Sequence, residues 1–268
     1  MNQTDEKTGN LGGYIFVSHS HADLKKVRKI RNYLESREIE PILFYLHCMK
    51  DGNDKDQAEL RRLINREIDA RDWFLYLDSE NARRSAWVQD EVKYAEQTKN
   101  GDIIRLNLDS AIGDLQKKFE KIGRAMRIYL TYSARDQYIA SQLQQEFERQ
   151  DFQVLTYEDA ISRDQILQRI EYACRDGCFV PLLSGNSIRF GALVEEFRYA
   201  VGRYKHAFHF PIMISNQPMQ PSSREQLERM RILQELLENR NVFQFRDLND
   251  IPMIVRKIRK ELIRSITE

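Results

Sequence analysis

Residues 81–96 read N-A-R-R-S-A-W-V-Q-D-E-V-K-Y-A-E, and their spacing predicts a helix that begins after Ser85. Ser85 is a predicted N-cap, because a serine hydroxyl at this position accepts a hydrogen bond from a free backbone N–H of the first turn. Val88, Val92 and Ala95 follow at the i, i+4, i+7 spacing of a buried helical stripe. The stretch therefore predicts an amphipathic helix with one face in a core.

Trp87 and Glu91 lie one helical turn apart on a neighbouring stripe of the same helix. Side chains four residues apart share one helical face, about 5–6 Å apart at Cβ, so the indole and the carboxylate face the same space. One interpretation of the pair is a site. The other is structural, with a tryptophan at the edge of the core and a solvated glutamate.

Strands and helices alternate on both sides of this helix. Predicted strands cover residues 14–17, 40–45, 73–77, 102–107, 208–214 and 242–245. The alternation predicts an α/β fold with a parallel sheet covered by helices on both faces. Ligands of such sheets bind beyond the carboxyl ends of the strands. Ser18 and His19, the polar loop 46–56 after Phe44, and the turn before Ser85 all lie at that edge.

The second half of the chain repeats the first. Residues 128–136 track residues 15–23 at an offset of 113, and residues 195–200 match residues 90–95 at an offset of 105. An internal repeat of this size predicts two copies of one domain. The predicted units are an N-terminal tail (1–12), a first domain (13–123) and a second domain (124–268).

The second copy keeps the glutamate without its aromatic neighbour. Glu196 corresponds to Glu91, but Ala192 stands at the position of Trp87. We therefore interpret Glu196 as a surface carboxylate, in a unit that keeps the fold and has an altered pocket.

Composition excludes several classes of function. The 42 Lys and Arg residues balance 41 Asp and Glu residues, and this balance does not predict binding to nucleic acid or an anionic membrane. No apolar run approaches the roughly 20 residues that span a bilayer, and the polar start does not resemble a signal peptide. The three cysteines are an odd number and do not form the pattern of a disulfide framework. They therefore predict reduced thiols and a cytoplasmic protein, and no metal site is expected.

Three motifs resemble those of bacterial Toll/interleukin-1 receptor (TIR) domains. They are Y-I-F-V-S-H-S-H-A-D (14–23), R-E-I-D-A-R-D-W-F-L-Y-L-D-S-E-N (66–81) and S-A-W-V-Q-D-E (85–91). The resemblance covers residues 13–125, and residues 124–268 resemble a second, more divergent copy. It implies two tandem flavodoxin-like domains, each a parallel sheet with helices on both faces.

Many bacterial members of this family cleave NAD⁺ through the Glu of a W-x-x-x-E motif, which falls here on Trp87 and Glu91. The resemblance implies that Glu91 is catalytic and that NAD⁺ is a substrate, with no cofactor. It also implies that residues 46–56 gate the site and contact a neighbouring domain. The residues implied to bind the substrate are Trp87, Ser85, Phe16, Ser18, His19 and Phe44.

The leading hypothesis is thus an NAD⁺ glycohydrolase or ADP-ribosyl cyclase. By resemblance, its setting is antiphage defence, with TIR–TIR self-association and an effector that senses an ADP-ribose-derived product. The alternative is a non-catalytic scaffold or adaptor that works through TIR–TIR assembly. A third reading, a flavodoxin-like phosphate or flavin binder, is weakened because no Gly-rich phosphate loop follows the first strand.

Overall fold

The computed structural model describes residues 13–44, 54–156, 162–205, 207–217 and 219–267. The predicted N-terminal tail and most of the predicted gating loop, residues 46–53, lie outside these ranges. Within the ranges, no helix combines the length and apolar character needed to cross a membrane.

One parallel sheet forms in the first half of the chain. Its strands are β1 (Gly13–Ser18), β2 (Ile39–Ile42), β3 (Trp73–Asp78) and β4 (Ile104–Asn107). Its helices are α1 (Leu24–Ser36), α2 (Asp54–Asp69), α3 (Glu80–Arg84), α4 (Ala86–Thr98) and α5 (Ile112–Ala125). The strand order is β2-β1-β3-β4. The stretch predicted as a turn before α4 contains the short helix α3, which Ser79 caps by accepting a hydrogen bond from the N–H of Ala82.

Both faces of this sheet are buried, as the continuous apolar strands predict. Ile15 and Leu75 point to one face and pack with α1 and α5, whereas Phe16 and Phe74 point to the other and pack with α2 and α4. Alternate residues of each strand pack into the two cores on opposite sides of the sheet, because successive side chains of a strand point to opposite faces. The predicted α/β fold with a covered parallel sheet is confirmed for this half.

A second parallel sheet forms in the rest of the chain. Its strands are β5 (Arg127–Tyr132), β6 (Gln153–Leu155), β7 (Cys178–Leu183), β8 (Phe208–His209), β9 (Ile212–Ile214) and β10 (Phe243–Phe245). Its helices are α6 (Gln137–Arg149), α7 (Arg163–Asp176), α8 (Gly185–Phe190), α9 (Ala192–Arg203), α10 (Arg224–Leu237) and α11 (Ile251–Thr267). The order is β10-β9-β7-β5-β6, and β8 pairs with β7.

The single strand predicted over residues 208–214 is wrong. It is divided into β8 and β9, which pair with the beginning and the end of β7 in one continuous register. Pro211 between them and Pro181 in β7 both lack an N–H group, so the ladder is interrupted where the two prolines meet.

The two halves share one core. The C-terminal helix α11 packs against β4 and α5 of the first half as well as against α6. Its buried residues Ile254, Ile258 and Leu262 belong to the same apolar cluster as Ile104 and Leu106 of β4. The first half therefore depends on α11 to cover part of its sheet. The predicted division into domains stays a prediction.

Polar contacts join the halves at the amino ends of their strands. The backbone N–H of Asp72 donates to Asp151 (2.8 Å), and the indole N–H of Trp73 donates to the carbonyl oxygen of Gln150 (3.1 Å). Arg259 of α11 forms an ion pair with Asp72. The carboxyl ends of the strands, where ligands of parallel sheets bind, remain away from these contacts.

A hydrogen-bonded triad fixes the loop after β1. Asp23 accepts hydrogen bonds from the hydroxyl of Ser79 (2.5 Å) and from the side-chain amide of Asn81 (2.9 Å). The triad ties the loop between β1 and α1 to the segment after β3, so both border the same end of the sheet.

The same triad recurs after β5. Asp136, which follows Asp23 by 113 residues, accepts hydrogen bonds from Ser184 (2.5 Å) and Asn186 (2.8 Å). Glu38 and Asp151, also 113 residues apart, adopt φ angles of 59° and 60° just before β2 and β6. Positions 113 residues apart thus share side-chain hydrogen bonds and backbone conformation.

Candidate active site

Helix α4 begins where the sequence predicts. The Ser85 hydroxyl accepts a hydrogen bond from the backbone N–H of Val88 (3.5 Å), which confirms the predicted N-cap. The predicted stripe of Val88, Val92 and Ala95 is buried against the sheet. This packing fixes the rotation of α4 about its axis and so determines where Glu91 points.

Glu91 points to the carboxyl end of β1. Its side chain is 7% exposed, and the hydroxyl of Ser18, the last residue of β1, donates a 2.5 Å hydrogen bond to its Oε2. Burial raises the pKa of Glu91 to about 7, because removal of water disfavours the charged form; the Ser18 hydrogen bond opposes this effect and the nearby Asp90 adds to it. The carboxyl group therefore changes charge near neutral pH.

Trp87 and Glu91 line one small cavity, as their spacing predicts. Its volume is about 110 Å³, and its walls come from α2 and α4. Trp87 is only partly buried. The guanidinium group of Arg61 lies over the indole ring, 4.5 Å from its centre, and forms an ion pair with Asp90. One face of the indole is thus covered by a cation.

Arg61 was not identified from the sequence. Its position depends on the packing of α2 against α4, which joins residues far apart in the chain. No local pattern around Arg61 distinguishes it from a solvated helix residue.

The predicted aromatic residues lie in a stack beside the site. Phe16 is 1% exposed and lies between Phe44 (6.0 Å between ring centres) and Phe74 (5.4 Å). The partly buried Phe44 forms the outer end of this stack. Among the described residues, neither Phe16 nor Phe44 lines the cavity of Trp87 and Glu91.

His19 is buried next to Ser18 at the end of β1. Its Nδ1 lies 3.2 Å from the carbonyl oxygen of Val17, a contact that requires the proton on Nδ1. Burial lowers the pKa of His19, so the ring is uncharged at neutral pH. His19 and Ser18 thus place two polar groups at the strand end that faces Glu91.

The interpretation of Glu196 as a surface carboxylate is wrong. Glu196 is 9% exposed, and the hydroxyl of Thr131 in β5 donates a hydrogen bond to its Oε2. Burial raises its pKa to about 7. The signal was present in the sequence, because Glu196 lies three residues after Leu193 and four before Ala200, within the buried stripe of α9.

The arrangement of Glu91 is suited to carboxylate chemistry. A buried carboxyl group with a raised pKa in a cavity is typical of functional sites. Within the described ranges, no group of three or more His, Cys, Asp or Glu side chains is placed to hold a metal ion.

Comparison with known proteins identifies one region of the chain. Residues 15–124 match a protein family described as the TIR domain. No curated protein and no solved structure matches the chain.

Proposed function

We propose that the TIR domain at residues 15–124 cleaves NAD⁺ between nicotinamide and ribose, with Glu91 as the catalytic carboxylate. The observation that carries the proposal is the buried pair of Ser18 and Glu91 at the carboxyl end of β1, beside the indole of Trp87. NAD⁺ is the substrate, and no further cofactor takes part.

The reaction needs only one carboxylate. Nicotinamide leaves the cationic glycosyl bond as a neutral molecule, so the leaving group needs no general acid, unlike that of most glycosidases. The remaining task is to stabilise the oxocarbenium-like ribosyl cation, and the ionised Glu91 supplies a fixed negative charge in a site shielded from water. Attack by water gives ADP-ribose and a proton; attack by an atom of the adenine base or by an exogenous base gives a cyclic or base-exchanged product.

Ser18 positions the catalytic group. Its hydroxyl holds one carboxyl oxygen of Glu91 at 2.5 Å and favours the ionised form. The other carboxyl oxygen then faces the reacting ribose. The hydrogen bond also offsets part of the cost of burying the charge.

The cavity beside Trp87 and Glu91 is small. A cavity of about 110 Å³ is smaller than the roughly 300–1,000 Å³ of ordinary ligand pockets. Arg61 occupies the face of Trp87 on which a pyridinium ring would stack. Both groups are cations, so the substrate displaces Arg61 from the ring and replaces one cation–π contact with another.

The repeated hydrogen bonds support a second TIR-like unit over residues 124–268. Asp136, Ser184 and Asn186 repeat the triad after β1. Tyr129 stacks on Phe179 at 5.6 Å, in positions that correspond to Phe16 and Phe74. This unit and the first one belong, in our proposal, to one cytoplasmic protein that self-associates. An effector in antiphage defence would sense its product.

The alternative is a non-catalytic scaffold that works through TIR–TIR assembly. The small cavity and the covered Trp87 ring favour it, because a scaffold needs no open site. A scaffold would leave NAD⁺ intact at every protein concentration.

The test is incubation of the full chain with NAD⁺ over a range of protein concentrations, with the products resolved by mass spectrometry. We expect free nicotinamide from the wild type, and a rate that rises more than linearly with protein concentration where assembly is required. Glu91→Gln should lower the rate about 100- to 1,000-fold, because the fixed charge is lost.

The matched control is Glu96→Gln, which makes the same change at an exposed position of α4. It should retain the wild-type rate. Near-normal turnover by Glu91→Gln would rule out Glu91 as the catalytic group. Absence of nicotinamide from wild-type reactions at all concentrations would favour the scaffold.

A further inference from the structure

A second and larger cavity lies in the C-terminal half. Its volume is about 390 Å³, compared with about 110 Å³ at Trp87. It opens at the carboxyl end of β5, between α7, α8 and α9. The residues that line it include Ser133, Arg135, Ile166, Phe190, Leu193 and Glu196.

The interior of this cavity carries a buried carboxyl group. Glu196 is held by the hydroxyl of Thr131, as Glu91 is held by Ser18. A core position gains nothing from a carboxyl group, because burying one costs free energy that an apolar side chain of similar size avoids. Ala192 stands where the first half has Trp87, so the space beside the carboxyl group is open.

A hydroxyl group lies in the same cavity. Ser133 is 9% exposed, and its side chain makes no cap hydrogen bond to the 3₁₀ helix that follows it. Its counterpart Ser20 accepts a hydrogen bond from the N–H of Ala22. The Ser133 hydroxyl lines the cavity, where it can donate a hydrogen bond to a bound ligand or accept one from it.

A cation stands at the mouth of the cavity. Arg135 is exposed, and its guanidinium group lies over the ring of Phe190, 5.2 Å from the ring centre. Among the described residues, no carboxylate forms an ion pair with Arg135. Its N–H groups thus remain available to an anion, and guanidinium groups bind phosphate well.

These groups define a ligand with three parts. The walls formed by Ile166, Phe190 and Leu193 suit a flat apolar ring. Glu196 and Ser133 can form hydrogen bonds with polar groups at the edge of such a ring. Arg135 can bind a phosphate group at the mouth of the cavity. A volume of about 390 Å³ falls within the range of roughly 300–1,000 Å³ for small-molecule sites.

We propose that this cavity is a second ligand site, which binds a nucleoside monophosphate with the base against Glu196 and Ser133 and the phosphate at Arg135. The site is separate from the Trp87 and Glu91 cavity, and the proposal does not depend on NAD⁺ cleavage there. Glu196 acts as a binding group, since the wall that Trp87 provides in the first half is missing.

Titration calorimetry of the full chain with AMP tests the proposal. We expect wild-type protein to bind AMP, and Glu196→Leu to weaken binding at least tenfold while keeping the volume of the side chain. Arg135→Gln, at an exposed position, should weaken AMP binding to a similar degree and change adenosine binding little, because adenosine lacks the phosphate.

Glu195→Leu is the matched control, since it makes the same change at the adjacent, exposed position of α9, outside the lining of this cavity. It should bind AMP as the wild type does. The proposal is overturned if wild-type protein binds no AMP up to roughly millimolar concentration, if Glu196→Leu and Arg135→Gln both bind normally, or if Glu195→Leu weakens binding as much as Glu196→Leu does.

Discussion

The guanidinium group of Arg61 lies over the Trp87 ring, 4.5 Å from its centre, and both residues line the same small cavity. Arg61 is held there by an ion pair with Asp90 on the same helix as Trp87. Exposed ion pairs contribute little to stability, typically about 0–1 kcal/mol. The ion pair of Arg61 with Asp90 therefore adds little to the free energy needed for another cation to displace Arg61 from the indole ring.

Arg61→Ala should lower the KM for NAD⁺. The substrate would no longer have to displace a cation–π contact worth about 0.5–2 kcal/mol, which corresponds to roughly a 2- to 30-fold change. Steady-state kinetics checks this, with Arg62→Ala as the control at the next exposed position of α2. A raised KM in Arg61→Ala and not in the control would instead make Arg61 a substrate contact.

Glu91 should make the protein less stable as pH rises. Its pKa is raised by burial from 4.5 to about 7, so between these values the folded protein binds more protons than the unfolded one. The stability that the protonated group contributes is fully present below about pH 4.5 and is lost as pH rises through about 7.

Glu91→Gln removes this dependence because glutamine does not ionise. The stability of the variant relative to wild type should increase between pH 5 and pH 8, by on the order of 3 kcal/mol. Urea unfolding at several pH values measures it. Glu96→Gln should show no such trend. A constant difference between wild type and Glu91→Gln across this range would mean that Glu91 ionises as an exposed carboxyl group does.

Trp87 should matter more for turnover than for stability. Trp87 is partly buried, whereas Trp73 is fully buried in the shared core. Trp73→Ala is the matched comparison and should cost about 3–5 kcal/mol of folding free energy. Trp87→Ala should cost less and lower turnover of the folded protein, and Trp87→Phe should be milder because a ring remains. A low melting temperature with normal turnover in Trp87→Ala would assign Trp87 to packing.

Local patterns were sufficient to predict most strands and helices of the first half. The stripe of Val88, Val92 and Ala95 and the cap at Ser85 depend on residues within one helix, and the structure has both. The placement of Glu91 beside Ser18 followed from the parallel sheet, because loops at the carboxyl ends of neighbouring strands meet at one edge.

Features that depend on distant partners were not predictable in the same way. Pro211 interrupts its strand because it lies across from Pro181, and that pairing requires the register of the sheet. Arg61 reaches Trp87 only after α2 packs on α4. The helical stripe of α9 places Glu196 in the core, whereas the replacement of tryptophan by Ala192 carries no information on the burial of the carboxyl group.

The packing of α11 across both halves predicts that they unfold together. Ile258 is fully buried in the shared core, where α11 covers β4. Ile258→Ala should cost about 2–5 kcal/mol, and Lys257→Ala, at the adjacent exposed position, should cost little. Removal of residues 124–268 should impair turnover for the same reason, because the edge of the first sheet loses its cover.

The two tryptophans of the chain, Trp73 and Trp87, both lie in the first half. Tryptophan fluorescence during denaturant unfolding therefore reports on the first half. Their fluorescence should report the loss of stability caused by Ile258→Ala in the second half, at the same denaturant concentration as circular dichroism of the whole chain. Turnover should fall only in proportion to the folded fraction. Two separate transitions, with the fluorescence midpoint unchanged by Ile258→Ala, would mean that the first half is stable without α11.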